Sequence, residues 1–350
     1  MTLGKRNRFS RPALLVLYVC LVPSLYGQAM GNEPSKSFVQ NKWFYAGLPY
    51  LSIYASAISL AFTSSDSMVP VWDGITIAGL IPSMFYLPNA GLGNLGISSS
   101  FMLASYGLKE ASGFYGDQSL FDVSNNLGAK YAYWSYYQGY VAAEKAIYGV
   151  SPNPLNDGLK FKDLVEAPWD LRNLSRVQTW LPLTLLISGE MAGAYFSTGG
   201  AKAVWTTGKA YIGHSEIPIG VGLISTFALS AINYTLTGIG EEAAFRGIGY
   251  DQMKTSLGVW PAKALDATLF SAVHLPQQIK EGDSLSTIVM AQLFGAAAGL
   301  SYQATYDAGG LRASVAEHMW FDTLQAVGIF LLTSGTTNAS VLSLSATFPM

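Results

Sequence analysis

Long stretches without a charged residue recur along the chain, at 43–65, 74–108, 217–240, 285–306 and from 323 to the C-terminus. A sixth apolar stretch, 177–196, is broken only by Glu190. A helix that crosses the hydrocarbon core of a bilayer needs about 20 predominantly apolar residues, and each of these stretches is long enough for one. The stretch 74–108 is too long for a single crossing. Pro82, Pro88, Gly91, Gly93 and Gly96 predict two segments joined by a bend. The runs do not alternate polar and apolar residues, as the strands of a membrane β-barrel do. The pattern therefore predicts an all-α, polytopic transmembrane helix bundle of roughly eight membrane segments.

Residues 1–11 carry Lys5, Arg6, Arg8 and Arg11 without an acid, and an apolar stretch follows to Leu25. Gly27, Gln28 and Ala29 then offer a small-x-small cleavage site. Residues 1–29 are read as a signal peptide or a signal anchor, which sends the chain to a membrane. The most polar stretch is 150–176, an expected extramembrane loop. It ends an N-terminal membrane region, 30–176, to which no role is assigned, and it precedes a C-terminal domain at 177–340. Tyr133, Trp134, Tyr136, Tyr137 and Tyr140 crowd a short segment, which fits a membrane–water interface or an aromatic core.

Composition narrows the functional classes. Half of the residues are hydrophobic and only 12% are charged, so the places where charge gathers are informative. A net charge of −2 provides no basic field, and nucleic acid is not an expected partner. Cys20 is the single cysteine, which excludes an internal disulfide and a cysteine metal cage. The three histidines are His214, His274 and His318. Residues 91–96 match G-x-G-x-x-G but lie inside an apolar run, where a bend is the better reading than a nucleotide site. Gly295 and Gly299 have the spacing that lets two helices approach closely.

Three segments place ionisable groups beside apolar runs. The first is Glu241-Glu242-Ala243-Ala244-Phe245-Arg246, directly after 24 uncharged residues, 217–240. Paired carboxylates at the end of a span are costly without partners or a function. On a helix Glu242 and Arg246 share a face, and Glu241 points about a quarter-turn away. The second segment, Phe270 to His274, and the third, His318 to Asp322, each span one helical turn. A carboxylate beside an imidazole can activate water as a general base, and a second histidine can stabilise an oxyanion.

In this order the segments resemble the CPBP family of intramembrane proteases, also called the Abi or type II CAAX prenyl protease family. Its pattern is E-E-x-x-x-R, then F-x-x-x-H, then H-x-x-x-N or a related polar residue. The resemblance covers roughly residues 178–335. It implies that Glu241 and His274 activate the attacking water, that Glu242 and Arg246 position and tune them, and that His318 and residue 322 stabilise the oxyanion. Asp322 departs from the asparagine of the prenyl proteases. An ionised aspartate donates no hydrogen bond and repels an oxyanion, so it is either protonated in a buried acidic cluster or orients His318.

The resemblance leaves the cofactor open. Metal-independent chemistry is the expected form, and a divalent metal such as zinc on Glu241, His274 and His318 is the alternative. The expected function is an intramembrane endopeptidase in a multi-pass protein of a bacterial inner membrane. Its partners are the bilayer and a peptide or protein substrate within it. A non-proteolytic scaffold or immunity-type protein and a proton-coupled transporter are the alternatives.

Overall fold

The structure is a computed structural model that describes residues 42–61, 133–141, 151–197, 209–212 and 215–333, with short pieces within 68–76 and 144–149. The signal segment, the glycine-rich bend at 91–96, most of 74–108, His214 and the C-terminal tail lie outside the described residues.

The described chain is helical apart from one small hairpin. Helix α1 (Lys42–Leu60) is followed by a helical stretch at 133–141. Two short helices, α2 (Phe161–Glu166) and α3 (Leu171–Leu174), lead into α4 (Val177–Ser197). Strands β1 (Lys209–Ile212) and β2 (Ser215–Pro218) pair antiparallel, with Lys209 opposite Pro218. Helix α5 (Ile219–Glu242) passes through a π-helical turn, Ala243–Tyr250, into α6 (Asp251–Leu257). Helices α7 (Val259–Ala272) and α8 (Leu275–Glu281) come next, and α9 (Leu285–Thr333) closes the described chain.

Among the described residues two stretches, Ile219–Leu257 and Leu285–Leu332, are long and apolar enough to cross a membrane. Their faces are arranged in the reverse of a water-soluble core helix. On α5, Thr226, Ser230, Thr235 and Gly238 turn inward, whereas Ile224 and Ile232 are 71% and 66% exposed. On the first half of α9, Ser301, Tyr302 and Thr305 are buried, and Leu285, Met290 and Leu293 face outward. Polar groups inside and apolar side chains outside suit lipid as solvent, where small and hydroxylated residues mediate helix packing.

Helix α9 is two helices joined by a reversal. Gly310 has φ 68° and ψ −165°, a backbone region essentially confined to glycine. Ser301 donates to Glu317 across the break. On a straight helix those residues would stand about 24 Å apart, so the halves 285–309 and 311–333 run back antiparallel. Thr305 donates to the other oxygen of Glu317, so this buried carboxylate fixes the register of the pair.

The polar loop at 151–176 covers this reversal. The Asn156 side chain accepts from the Leu311 backbone N–H (2.8 Å) and donates to the Tyr306 hydroxyl (3.1 Å). Arg176 donates to the Ala308 carbonyl (2.8 Å), which satisfies an end carbonyl of the first half. Arg312 meets Asp170 (3.1 Å), and Trp320 donates to the Pro168 carbonyl (2.8 Å). The side-chain hydrogen bond from Arg172 is the main reason that the Asp170 carboxyl is held below its usual range. Its contribution is fully present above the ordinary aspartate pKa and is lost as pH falls through the lowered value.

Small residues bring the other helices together. A Cβ on Gly295 would approach the Ser271 hydroxyl to 2.7 Å, and one on Gly299 would approach Ala267 to 3.0 Å, so α7 packs directly on the first half of α9. The π turn accepts aromatic rings at Gly247 and Gly249, against Tyr137 and Tyr50 respectively. Tyr133, Trp134, Tyr136, Tyr137 and Tyr140 are all buried, so this aromatic segment is core and not an interface belt.

Gly310→Ala is expected to destabilise the protein by about 1–3 kcal/mol, because alanine strains this backbone conformation. Its Cβ would also press to 2.5 Å from the Asn156 side-chain oxygen. Thermal unfolding in detergent measures the effect, and an unchanged midpoint would refute the reversal described here.

Candidate active site

The site forms where α5 runs into the π turn, beneath the α9 reversal. Extra residues in a helical turn re-aim the side chains on it, and π segments are frequent at functional positions. Here the π turn carries Arg246 to a fully buried position.

The Arg246 guanidinium contacts Glu242 at 3.1 Å, the Gly299 carbonyl at 2.9 Å and Asp266 at 3.7 Å. It also lies 4.3 Å over the Phe270 ring. Such packing is a cation–π contact in a desolvated setting. Asp266 is held in turn by the Tyr50 hydroxyl and by the Gln303 amide, both at 2.7 Å. The arginine is therefore enclosed by carboxylates on two helices, a backbone carbonyl on a third and an aromatic face.

Glu242 passes this order on to His318. One carboxylate oxygen of Glu242 takes the Arg246 contact and lies 2.8 Å from His318 Nδ1. The opposite ring nitrogen, Nε2, faces Asp322 at 3.3 Å and Glu241 at 3.8 Å. Glu242 and Arg246 are sealed completely, whereas the Glu241 and Asp322 side chains keep 10% and 11% exposure. The Nε2 side is therefore the less tightly sealed side of the ring. Gly238 makes the approach of α5 to α9 possible, since a Cβ there would meet the Val315 carbonyl at 3.4 Å and His318 Cβ at 3.5 Å.

Phe270 is the hub of the site. Its ring stands nearly perpendicular to those of Phe245, Tyr302, His274 and His318, with centroid distances between 5.2 and 6.0 Å. His274 is the N-cap of α8, two residues past the end of α7, and is partly buried. Tyr302 stacks flat on His318, with centroids 4.7 Å apart and the ring planes at 15°.

Of the six residues singled out in the sequence, Glu241, Glu242, Arg246, His318 and Asp322 meet in one charged cluster around His318. His274 joins through Phe270. Asp266, Tyr302 and Glu317 take part as well, and the sequence reading did not select them; Gly299, expected only to bring helices close, also contributes its carbonyl to Arg246. Asp266 carried a signal, because Asp266, Phe270 and His274 recur every four residues and so mark one face of α7. Tyr302 carried none, being one tyrosine among 20. Glu190 on α4 also reaches the second half of α9, where the Gln325 side chain donates to it.

For the metal alternative, the test is whether the ligands converge. Among the described residues no group of three or more His, Cys, Asp or Glu side chains is arranged to hold a metal ion. Glu241, His274 and His318 form no ready metal centre in this arrangement.

Residues 223–324 match the family model described as Type II CAAX prenyl endopeptidase Rce1-like. The match contains all six sequence-derived residues and is to the protease family that their motifs resemble. That family is a membrane-embedded protease family. Neither the curated proteins nor the solved structures gave a match.

Arg246→Met is expected to cost about 3–5 kcal/mol, because it leaves the Glu242 and Asp266 carboxylates buried without their cation. Arg246→Lys should recover only part of this, since an ammonium cannot reproduce the planar fork. Denaturant unfolding in detergent checks both, and a stable Arg246→Met protein would contradict the assignment.

Proposed function

We propose that the Rce1-like segment is an intramembrane endopeptidase that hydrolyses a peptide bond with a water activated by Glu241 and His274. The observation that carries this reading is the convergence of Glu241, Glu242 and Asp322 on His318 beside a sealed arginine. Ionisable groups buried in a helical membrane bundle are costly and mark functional positions.

The residues divide by position. Glu241, on the less tightly sealed side of the imidazole, takes a proton from the attacking water. His274, across the Phe270 ring, shares that task. The water oxygen bonds to the carbonyl carbon, and the carbonyl oxygen takes up the negative charge. Glu242, fixed by Arg246, holds His318 Nδ1 and so aims Nε2 at that oxygen. As the intermediate collapses the C–N bond breaks, and the proton held by Glu241 goes to the leaving amine. Asp322, opposite Nε2, orients His318 rather than meeting the oxyanion.

The depth of the site suits this chemistry. His318 and Asp322 lie about 12 and 18 Å along the helix from Gly310, in a core about 30 Å thick. The charged loop at 151–176 marks the aqueous end. The domain at 177–340, the count of roughly eight spans, the signal segment at 1–29 and the placement in a bacterial inner membrane rest on the sequence pattern.

The test is proteolysis by the purified protein in detergent, with prenylated and unprenylated peptides as substrates. Glu241→Ala, His274→Ala and His318→Ala are each expected to lower kcat/KM by about 10²–10⁴-fold, the usual contribution of a positioned acid or base. Cleavage that survives Glu241→Ala and His274→Ala would overturn the assignment.

A further inference from the structure

The aspartate at position 322 leaves the proposed reaction one donor short. A tetrahedral oxyanion is stabilised by preorganised hydrogen-bond donors, usually more than one. His318 supplies one from Nε2, and an ionised aspartate supplies none. A second donor has to come from elsewhere in the site.

Tyr302 has the properties required. It is fully buried, and its hydroxyl makes no hydrogen bond among the described residues. Tyrosine hydroxyls nearly always find a partner when buried, and an unmatched one costs free energy. A buried donor without a partner in a packed core therefore calls for a functional explanation. The phenol is also held rigidly. Its ring lies flat against His318 at 4.7 Å, meets Phe270 edge-on at 5.7 Å and has the Arg246 guanidinium 5.2 Å from its centre.

The stacking sets the phenol in the same buried cluster as the ring nitrogens of His318, with Asp322 3.3 Å and Glu241 3.8 Å from Nε2.

We propose that the Tyr302 hydroxyl is a further catalytic group, which donates a hydrogen bond to the oxyanion beside His318 and replaces the donor that Asp322 cannot provide. The inference rests on the peptidase reading above. As the water oxygen adds to the carbonyl carbon, the electron pair of the C=O bond moves onto oxygen, and the hydroxyl donates to it. Tyr302 keeps its proton throughout. The pair returns to re-form the C=O bond as the amine leaves.

Tyr302→Phe keeps the stacked ring and removes only the donor. It is expected to lower kcat by about 10²–10³-fold, as loss of one oxyanion donor does, with KM nearly unchanged. Its melting temperature should equal or exceed that of the wild type, because an unsatisfied buried group has been removed. Tyr302→Leu, which also removes the ring, should lose stability as well as turnover. Wild-type kcat in Tyr302→Phe would overturn the inference and leave the peptidase reading intact. A fall in kcat that tracks a fall in melting temperature would also overturn it, by showing a structural role. If the wild type and Glu241→Ala are equally silent on every peptide, the peptidase reading fails and this inference fails with it.

Discussion

The guanidinium of Arg246 is a charge removed completely from solvent inside an apolar bundle, and most of the surrounding structure serves to hold it. Isolated burial of such a group is prohibitive, so each of its faces needs a partner. Glu242 comes from its own helix, Asp266 from α7, the Gly299 carbonyl from the first half of α9, and the ring of Phe270 covers it. These requirements fix three helices relative to one another. Through Glu242 they also fix His318 on the second half of α9. The same network therefore sets the fold and orients the imidazole.

Close packing makes that network possible. Gly238, Gly295 and Gly299 let α5 and α7 approach α9 nearly backbone to backbone. The reversal at Gly310 brings Ser301 and Thr305 to Glu317 and sets Tyr302 against His318. The polar loop at 151–176 then satisfies the backbone groups that the reversal leaves open.

Much of this was legible in the residues because charge is scarce. In a chain with long uncharged runs, Glu241-Glu242, Arg246, His274, His318 and Asp322 stand out by position alone, and helical spacing pairs Glu242 with Arg246. The all-helical architecture follows from the length of those runs. The π turn was not legible, since nothing in Ala243–Tyr250 distinguishes it from an ordinary helix. The reversal at Gly310 was hidden in the same way, because only backbone geometry separates it from other glycines. The assignment of carboxylates to ring nitrogens also depends on packing, and helical spacing alone points no carboxylate at His318 except Asp322. Tyr302 acquires its meaning only from its neighbours, whereas Asp266 is marked only by its four-residue spacing to Phe270 and His274.

The central claim is that the Glu242–Arg246 pair orients His318 as well as holding the helices together. A double-mutant cycle with Glu242→Met, Arg246→Met and the double variant tests it, with unfolding and peptide cleavage measured on each protein. Arg246→Met leaves two buried carboxylates without their cation and Glu242→Met leaves Arg246 with Asp266 alone, whereas the double variant removes one carboxylate together with the cation. The account predicts a coupling of roughly 1–3 kcal/mol, with the double variant more stable than the singles would sum to, and no cleavage activity in it. Additive losses of stability, or a double variant that still cleaves at the wild-type rate, would contradict the account.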